Sequence, residues 1–206
     1  ILNAQLSSGS VQFVFDGCTF RYSDLGMYCF DGVGVLVVTG CTFDAYVNQA
    51  SSYGTGVSTT AAAYARISNN TFMLNCDAGK AMPAISVGRD SAVASRRSGH
   101  VVIEGNSISY TGAAGSHAIL VGHGAGNTVV RGNVIRNPYE YGIVLKTDNA
   151  VCSYNRVYSG YSSIYLKGAQ GCVVSHNTLY QAGYGANTSR TMQLLGSHDM
   201  TGGNQL

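Results

Sequence analysis

An all-β fold, a solenoid of parallel strands wound into about seven coils, is what this sequence predicts. Three observations carry the prediction. One phrase recurs along the chain: "HVVIEGNSISY" at 100–110, then "TVVRGNVIRN", "AVCSYNRVYS" and "GCVVSHNTLYQ". Apolar residues alternate within each phrase, which is the period of a strand with one buried face. No stretch sustains a helical period with capping residues.

Aligned on one position, the repeat has anchors at Cys18, Cys41, Asn70, Asn106, Asn133, Asn155, Asn177 and Asn204, spaced by 23, 29, 36, 27, 22, 22 and 27 residues. Periods of this size mark repeat architectures, because a single unit cannot bury its own apolar face. The opening segment, "ILNAQLSSGS", is itself strand-like. The first strand of each coil runs up to the anchor, and three residues ahead of it stand Phe15, Val38, Ile67, Ile103, Val130, Cys152, Val174 and Thr201. At the anchor the chain bends, where Gly and Asn tolerate positive φ. A short second strand carries Phe20, Phe43, Phe72, Ile108, Ile135, Val157, Leu179 and Leu206 two residues past the anchor. A loop of variable length leads to a third strand, marked by Met27/Cys29, Ile85/Val87, Ile119/Val121, Ile143/Leu145, Ile164/Leu166 and Met192/Leu194.

Coils stacked in parallel place equivalent residues about 4.8 Å apart. An inward Asn then bonds the Asn and the backbone of its neighbours, relieving groups that cost roughly 1–3 kcal/mol each when buried without a partner. The six Asn are expected to form such a ladder, with Cys18 and Cys41 as its apolar continuation.

The continuous repeat makes the 206 residues one domain. Charged residues are 11% of the chain and Gly numbers 27, which suits a glycine-turned solenoid with a large core. A net charge of +2 offers no field for nucleic acid or a membrane surface, and no apolar run is long enough to cross a bilayer. Cys18, Cys29, Cys41, Cys152 and Cys172 fall on inward positions and read as reduced core thiols, with Cys18 and Cys41 the one pair stacked closely enough for a bridge. His100, His117, His123, His176 and His198 have no zinc-like spacing with Cys, so no structural metal is expected. No polar cap follows Asn204 and Leu206, so the chain is expected to be a piece of a longer polypeptide with further coils.

This register resembles the right-handed parallel β-helix of the pectate-lyase-like superfamily over residues 11–206. The resemblance implies a substrate groove along the third strand and the turn after it. Outward positions there are Tyr28, Ser86, Leu120, Val144, Tyr165 and Gln193. The turns add Gly88-Arg89-Asp90, Gly122-His123-Gly124, Lys146-Thr147-Asp148 and Lys167-Gly168. Arg89, His123, Lys146 and Lys167 make a basic row and are the candidate catalytic residues. Tyr28, Ser86, Tyr165, Asp148, Tyr141 and Asp90 are the candidate substrate-binding residues. Of the histidines, only His123 and His198 are expected on this face. A basic row neutralises the carboxylates of an acidic polysaccharide and makes the adjacent proton removable, which is the chemistry of β-elimination. The loops ahead of the third strand hold Tyr22, Tyr46, Tyr53, Tyr110, Tyr139, Tyr141, Tyr161, Tyr180 and Tyr184, expected to form the opposite wall. The plain alternative is a row of solvated turn residues, since Lys at strand edges also blocks edge pairing.

"ISNNTF" with "AISVGRDS", and "IVLKT", are similar to alginate and chondroitin lyases of this class, which implies Lys146 as base and Lys167 or His123 as its partner. That group also implies calcium, but the coil at 111–124 has no carboxylate to hold it, and the residues themselves call for no cofactor. "GHG" at 122–124 with "YGIVLKT" is similar to polygalacturonases, yet their adjacent pair of Asp is missing here, which disfavours hydrolysis. Two function classes follow. One is a polysaccharide-processing enzyme with lyase chemistry; the other is a non-catalytic glycan-binding or virion module, such as a phage tailspike or adhesin β-helix. Either implies a polysaccharide partner and a place outside the cell, on its surface or on a virion. The tailspike likeness adds a homotrimer as one form of assembly.

Overall fold

The alternation seen in the sequence becomes three parallel sheets. The structure, a computed structural model, describes residues 2–4, 11–23, 26–29, 33–47, 56–60, 62–77, 83–88, 99–112, 117–138, 140–159, 162–181 and 192–195. Sheet 1 holds the strands ahead of the anchors: Val11–Asp16, Val33–Thr39, Ala62–Ser68, His100–Glu104, Thr128–Arg131, Val151–Ser153 and Val173–Ser175. Sheet 2 holds those just past the anchors: Thr19–Ser23, Thr42–Val47, Thr71–Cys76, Ser107–Gly112, Val134–Arg136, Arg156–Ser159 and Thr178–Gln181. Sheet 3 holds Leu2–Ala4, Met27–Cys29, Val57–Thr59, Ile85–Val87, His117–Val121, Tyr141–Leu145, Ser162–Lys167 and Met192–Leu195. Each sheet takes every third strand in chain order, so the chain is a parallel β-helix, with coils 1 to 7 counted from Val11.

Register follows the expected alignment. Ile67, Ile103, Val130, Cys152 and Val174 pair in succession in sheet 1. Phe72, Ile108, Ile135, Val157 and Leu179 do so in sheet 2. All of them are buried. In the early coils the second column is aromatic: Phe20 stacks on Phe43 at 4.9 Å and Phe43 on Phe72 at 4.6 Å. The strand Val57–Thr59 escaped the sequence reading because one of its inward positions is polar. Thr59 is fully buried, and its Oγ1 has no hydrogen-bond partner among the described residues.

The ladder is built as a chain of two-donor contacts. The backbone N–H of Asn70, Asn106 and Asn133 each donates to the Oδ1 of the next anchor at 3.0 Å, and that of Asn155 donates to Asn177 at 2.9 Å. The same four Oδ1 atoms also accept from the preceding Asn Nδ2 at 2.9–3.0 Å. Each Nδ2 reaches back as well, to the carbonyl of Val38, Ile67, Ile103, Val130 or Cys152. Cys41 corrects one expectation, because it continues the ladder in polar terms. Its N–H donates to Asn70 Oδ1 at 2.8 Å, and its Sγ contacts the carbonyls of Thr39 and Phe15. A thiol is a weak donor and takes over part of the amide's role. Cys41, Cys76, Cys152 and Cys172 are buried free thiols and Cys18 is a half-buried one. Asn204 lies outside the described residues.

The residue just ahead of each anchor is left-handed: Gly17, Gly40, Asn69, Gly105, Gly132, Tyr154 and His176 all have φ between 55° and 64°. Gly and Asn take that conformation readily, whereas Tyr and His hold it at a cost of about 1–3 kcal/mol each.

Two tyrosines expected in loop walls are core residues instead. Tyr110 is 2% exposed, its hydroxyl accepting from the Ala84 N–H and donating to the His117 carbonyl. Tyr22 packs against the same core and buries its hydroxyl. Both sit two residues past an inward Phe or Ile on a sheet 2 strand, so the alternation that buries Phe20 and Ile108 buries them too. Tyr46 and Tyr180 lie on the outer face of sheet 2, away from sheet 3, while Tyr53, Tyr139, Tyr161 and Tyr184 fall outside the described residues.

Asn133→Leu removes the acceptor for two Asn106 donors and the donor to Ile103 O. It should lower the unfolding free energy by on the order of 2–5 kcal/mol, read as a reduced midpoint in urea.

Candidate functional site

The site grows from the outer side of sheet 3 in coils 4 to 6. Inward Val121, Leu145 and Leu166 pair across these coils, which puts Gly122, Lys146 and Lys167 at equivalent outward positions. Lys146 is fixed by its backbone, the N–H donating to Val121 O at 2.8 Å. Its side chain is only 8% exposed. Burial, and then the neighbouring charge of Lys167, push the Lys146 ammonium below the usual lysine range. Gly122, one coil earlier, places no side chain over it.

A second group stands at the start of the same strands. His117 and Tyr141 pair across coils 4 and 5, with ring centroids 5.2 Å apart, and Tyr141 stacks on Tyr165 at 4.9 Å. Core Tyr110 holds the His117 carbonyl and so fixes where the strand begins. Glu140 Oε2 is 3.7 Å from His117 Nδ1, too far for a hydrogen bond, and Nδ1 has no such partner among the described residues. Burial, followed by the charge of Lys167, lowers the His117 pKa to about 4. At neutral pH the imidazole is therefore uncharged, and its contact with Glu140 is not an ion pair. His117 corrects the expectation that only His123 and His198 reach this face. Alternation gives no signal for it, because, two residues ahead of inward Ile119, His117 falls on the inward register, yet its ring meets that of Tyr141.

The remaining candidates are distributed as follows. Lys146, Lys167, Tyr141 and Tyr165 come together on sheet 3. His123 is half-buried one residue beyond the lysine position, equivalent to Thr147, whose hydroxyl bonds the Ala125 carbonyl. Asp148 is exposed and accepts from the Gln170 N–H at 2.7 Å, so it braces the turn between coils 5 and 6. Ser86 and Val144, expected as groove floor, are 9% and 1% exposed, and Ser58 beside Ser86 is 4% exposed. They face outward but are covered, because alternation fixes which side a residue takes and not what packs over it. Leu120 and Tyr165 are the half-buried members of that column. Arg89, Asp90 and His198 lie outside the described residues, as does the side chain of Tyr28.

The described residues offer no set of ligands that fits calcium. Among the described residues no three His, Cys, Asp or Glu gather as a ligand set, and Asp148 is already committed to a backbone amide.

What the site lines is a column of stacked coils, and the comparison with protein families decides its kinship. A family model described as "Right handed beta helix region" matches residues 4–150 and 85–197. The chain belongs to the right-handed β-helix family. That family includes polysaccharide-active enzymes and binders. Comparison with curated proteins and with solved structures finds no match. The right-handed β-helix thus accounts for the frame on which the lysines and tyrosines stand, while their chemistry rests on their own geometry.

The half-buried, neutral His117 makes stability depend on pH. Its folded pKa of about 4 lies below the ordinary 6.5, so the unfolded chain binds the proton more readily. Stability should fall as pH drops from about 6.5 to about 4 and change no further from this cause below that. In His117→Phe, which keeps a flat ring against Tyr141, the urea midpoint should decline less over the same window.

Proposed function

We propose that the protein binds an acidic polysaccharide along the outer side of sheet 3 in coils 4 to 6 and cleaves it by β-elimination. The observation that carries this reading is the pair Lys146 and Lys167, in register on adjacent coils and electrostatically coupled. A carboxylate on a uronate residue pairs with the exposed Lys167 ammonium, which withdraws charge and loosens the proton on the adjacent carbon. Lys146, with its pKa lowered, supplies a neutral amine fraction that takes this proton. The carbon–oxygen bond on the next carbon breaks and a double bond forms between the two carbons. The Lys146 ammonium returns the proton to the departing oxygen, so the amine is regenerated and no water is consumed. Tyr141 and Tyr165 offer ring edges and hydroxyls to the sugar, and coils about 4.8 Å apart meet about one sugar residue each. Such a substrate places the protein outside the cell, on its surface or on a virion.

The covered positions Ser86 and Val144 favour a second reading, a non-catalytic glycan-binding or virion module, since they shorten the open groove. Incubation with polygalacturonate, alginate and chondroitin, followed by absorbance of the unsaturated uronate, separates the two. Lys146→Ala with Lys167→Ala should abolish product, weaken binding and reduce its sensitivity to salt, which an exposed cation feels over roughly 8–10 Å. Binding by that double variant equal to the parent's would place the site elsewhere. Lys167→Met alone leaves the larger effect of burial on Lys146 and removes the smaller one of the neighbouring charge, so the pH profile of the residual rate should move part of the way to higher pH.

A further inference from the structure

We infer that the outer face of sheet 2 in coils 5 to 7 is a second binding surface for an acidic oligosaccharide, separate from the lysine pair on sheet 3. Register carries the first half of the argument. Outward Arg136, Tyr158 and Tyr180 pair in succession on three adjacent coils. The Arg136 guanidinium lies 6.0 Å from the Tyr158 ring centroid, and Tyr158 stacks on Tyr180 at 4.6 Å with an interplanar angle of 2°. Arg156 stands on the same strand as Tyr158, two residues ahead and also outward. Arg136 and Arg156 are exposed and have no carboxylate partner among the described residues. In the earlier coils the position of Arg136 is held by Arg21, Asp44, Met73 and Ser109, where the one Arg is already paired with Asp44. Cations left open beside a rigid aromatic stack exist here and not there.

An independent observation points to the same coils. The left-handed position ahead of the anchor is Gly or Asn in coils 1 to 5, but Tyr154 in coil 6 and His176 in coil 7. Their rings stack at 4.9 Å, and Tyr154 is 63% exposed. The backbone therefore holds a strained conformation to display two flat rings to solvent. Gly132 precedes Tyr154 by one coil, and a Cβ there would meet only the Gly105 backbone nitrogen within 4 Å, so one face of Tyr154 looks over an open step. Strain kept at an exposed site is a mark of function rather than of packing.

The chemistry of the surface selects the ligand. Two unpaired guanidiniums ask for carboxylate or sulfate groups, which Arg binds through paired N–H donors. Tyr158 and Tyr180 each cover one face of the other, so they leave no slot between them for an inserted base and present hydroxyls and ring edges to sugar hydroxyls. The open face of Tyr154 suits the apolar side of a sugar ring. A chain lying along the axis meets these groups at the coil spacing of about 4.8 Å, close to one sugar residue.

The test titrates a defined oligogalacturonate and a sulfated chondroitin oligosaccharide into the protein by calorimetry. It uses the Lys146→Ala/Lys167→Ala variant, so that the sheet 3 reading does not enter. That variant should still bind one of the two sugars. Adding Arg136→Gln and Arg156→Gln should weaken binding at least about tenfold, as expected for lost charge-assisted bonds. Tyr154→Gly should also weaken binding while leaving the urea midpoint equal or higher, because glycine relieves the strained backbone. A structural role alone would instead lower the midpoint and leave affinity unchanged. Absence of sugar binding by the lysine variant, or binding indifferent to the Arg and Tyr154 changes, would overturn the inference. Tighter binding of a single-stranded oligonucleotide at these same residues would overturn the ligand class.

Discussion

From Asn106 to Asn177 each asparagine side-chain oxygen of the ladder accepts two bonds from the coil before it, and the order of everything else depends on that arrangement. A strand pair can slip by one residue when only its apolar pattern resists, and such a slip turns every inward side chain outward. Here a slip also breaks two donors per step deep in the interior, where an orphaned amide is costly. The ladder therefore fixes the stacking of Ile67 to Val174 on one side of the bend and of Phe72 to Leu179 on the other. It also fixes the outward residues that stack above one another, the lysines on sheet 3 and the arginine and tyrosines on sheet 2.

Charge on this scaffold has meaning because there is so little of it. Glu104 sits between Arg66 and Arg131 on sheet 1, and Arg131 first, then Arg66, hold its carboxyl below the usual range against the opposing effect of burial. Every charge of that cluster has an opposite partner within it. Lys146 and Lys167 instead put two like charges in register on adjacent coils, with Lys146 buried and its pKa lowered by that burial and then by Lys167. The same logic separates the paired Arg21 from the open Arg136 and Arg156. Register and burial, rather than the mere presence of a basic residue, distinguish a candidate site from a solvated turn.

The fold was readable in the sequence because its determinants are periodic. Anchors, the apolar residue three before and the one two after recur together, and each maps to a fixed place in the coil. Val57–Thr59 was missed for the complementary reason: its buried Thr59 breaks the apolar pair that marks other coils. The lysine row was legible as register, but its electrostatics were not, since the burial of Lys146 depends on what lies over the turn. Ser86 and Val144 failed as an open floor on the same ground. Tyr22 and Tyr110 differ from the loop walls expected of tyrosine because the strand period, not residue type, decides which side they take, and it assigns both to the interior. His117 escaped because the sequence does not show that a strand's first residue turns toward its neighbours' rings.

Native-state amide hydrogen exchange tests the central role of the ladder most directly. The backbone amides of Asn106, Asn133 and Asn155 donate to side-chain oxygens rather than to a sheet, at a bend of the chain. If the ladder holds the coils in register, these three should exchange only through global unfolding, with the same free energy as the sheet amides of Ile103 and Ile135. Exchange of the three at rates typical of surface turns, while Ile103 and Ile135 stay protected, would show that the sheets hold the register and that the asparagines merely fill the bend.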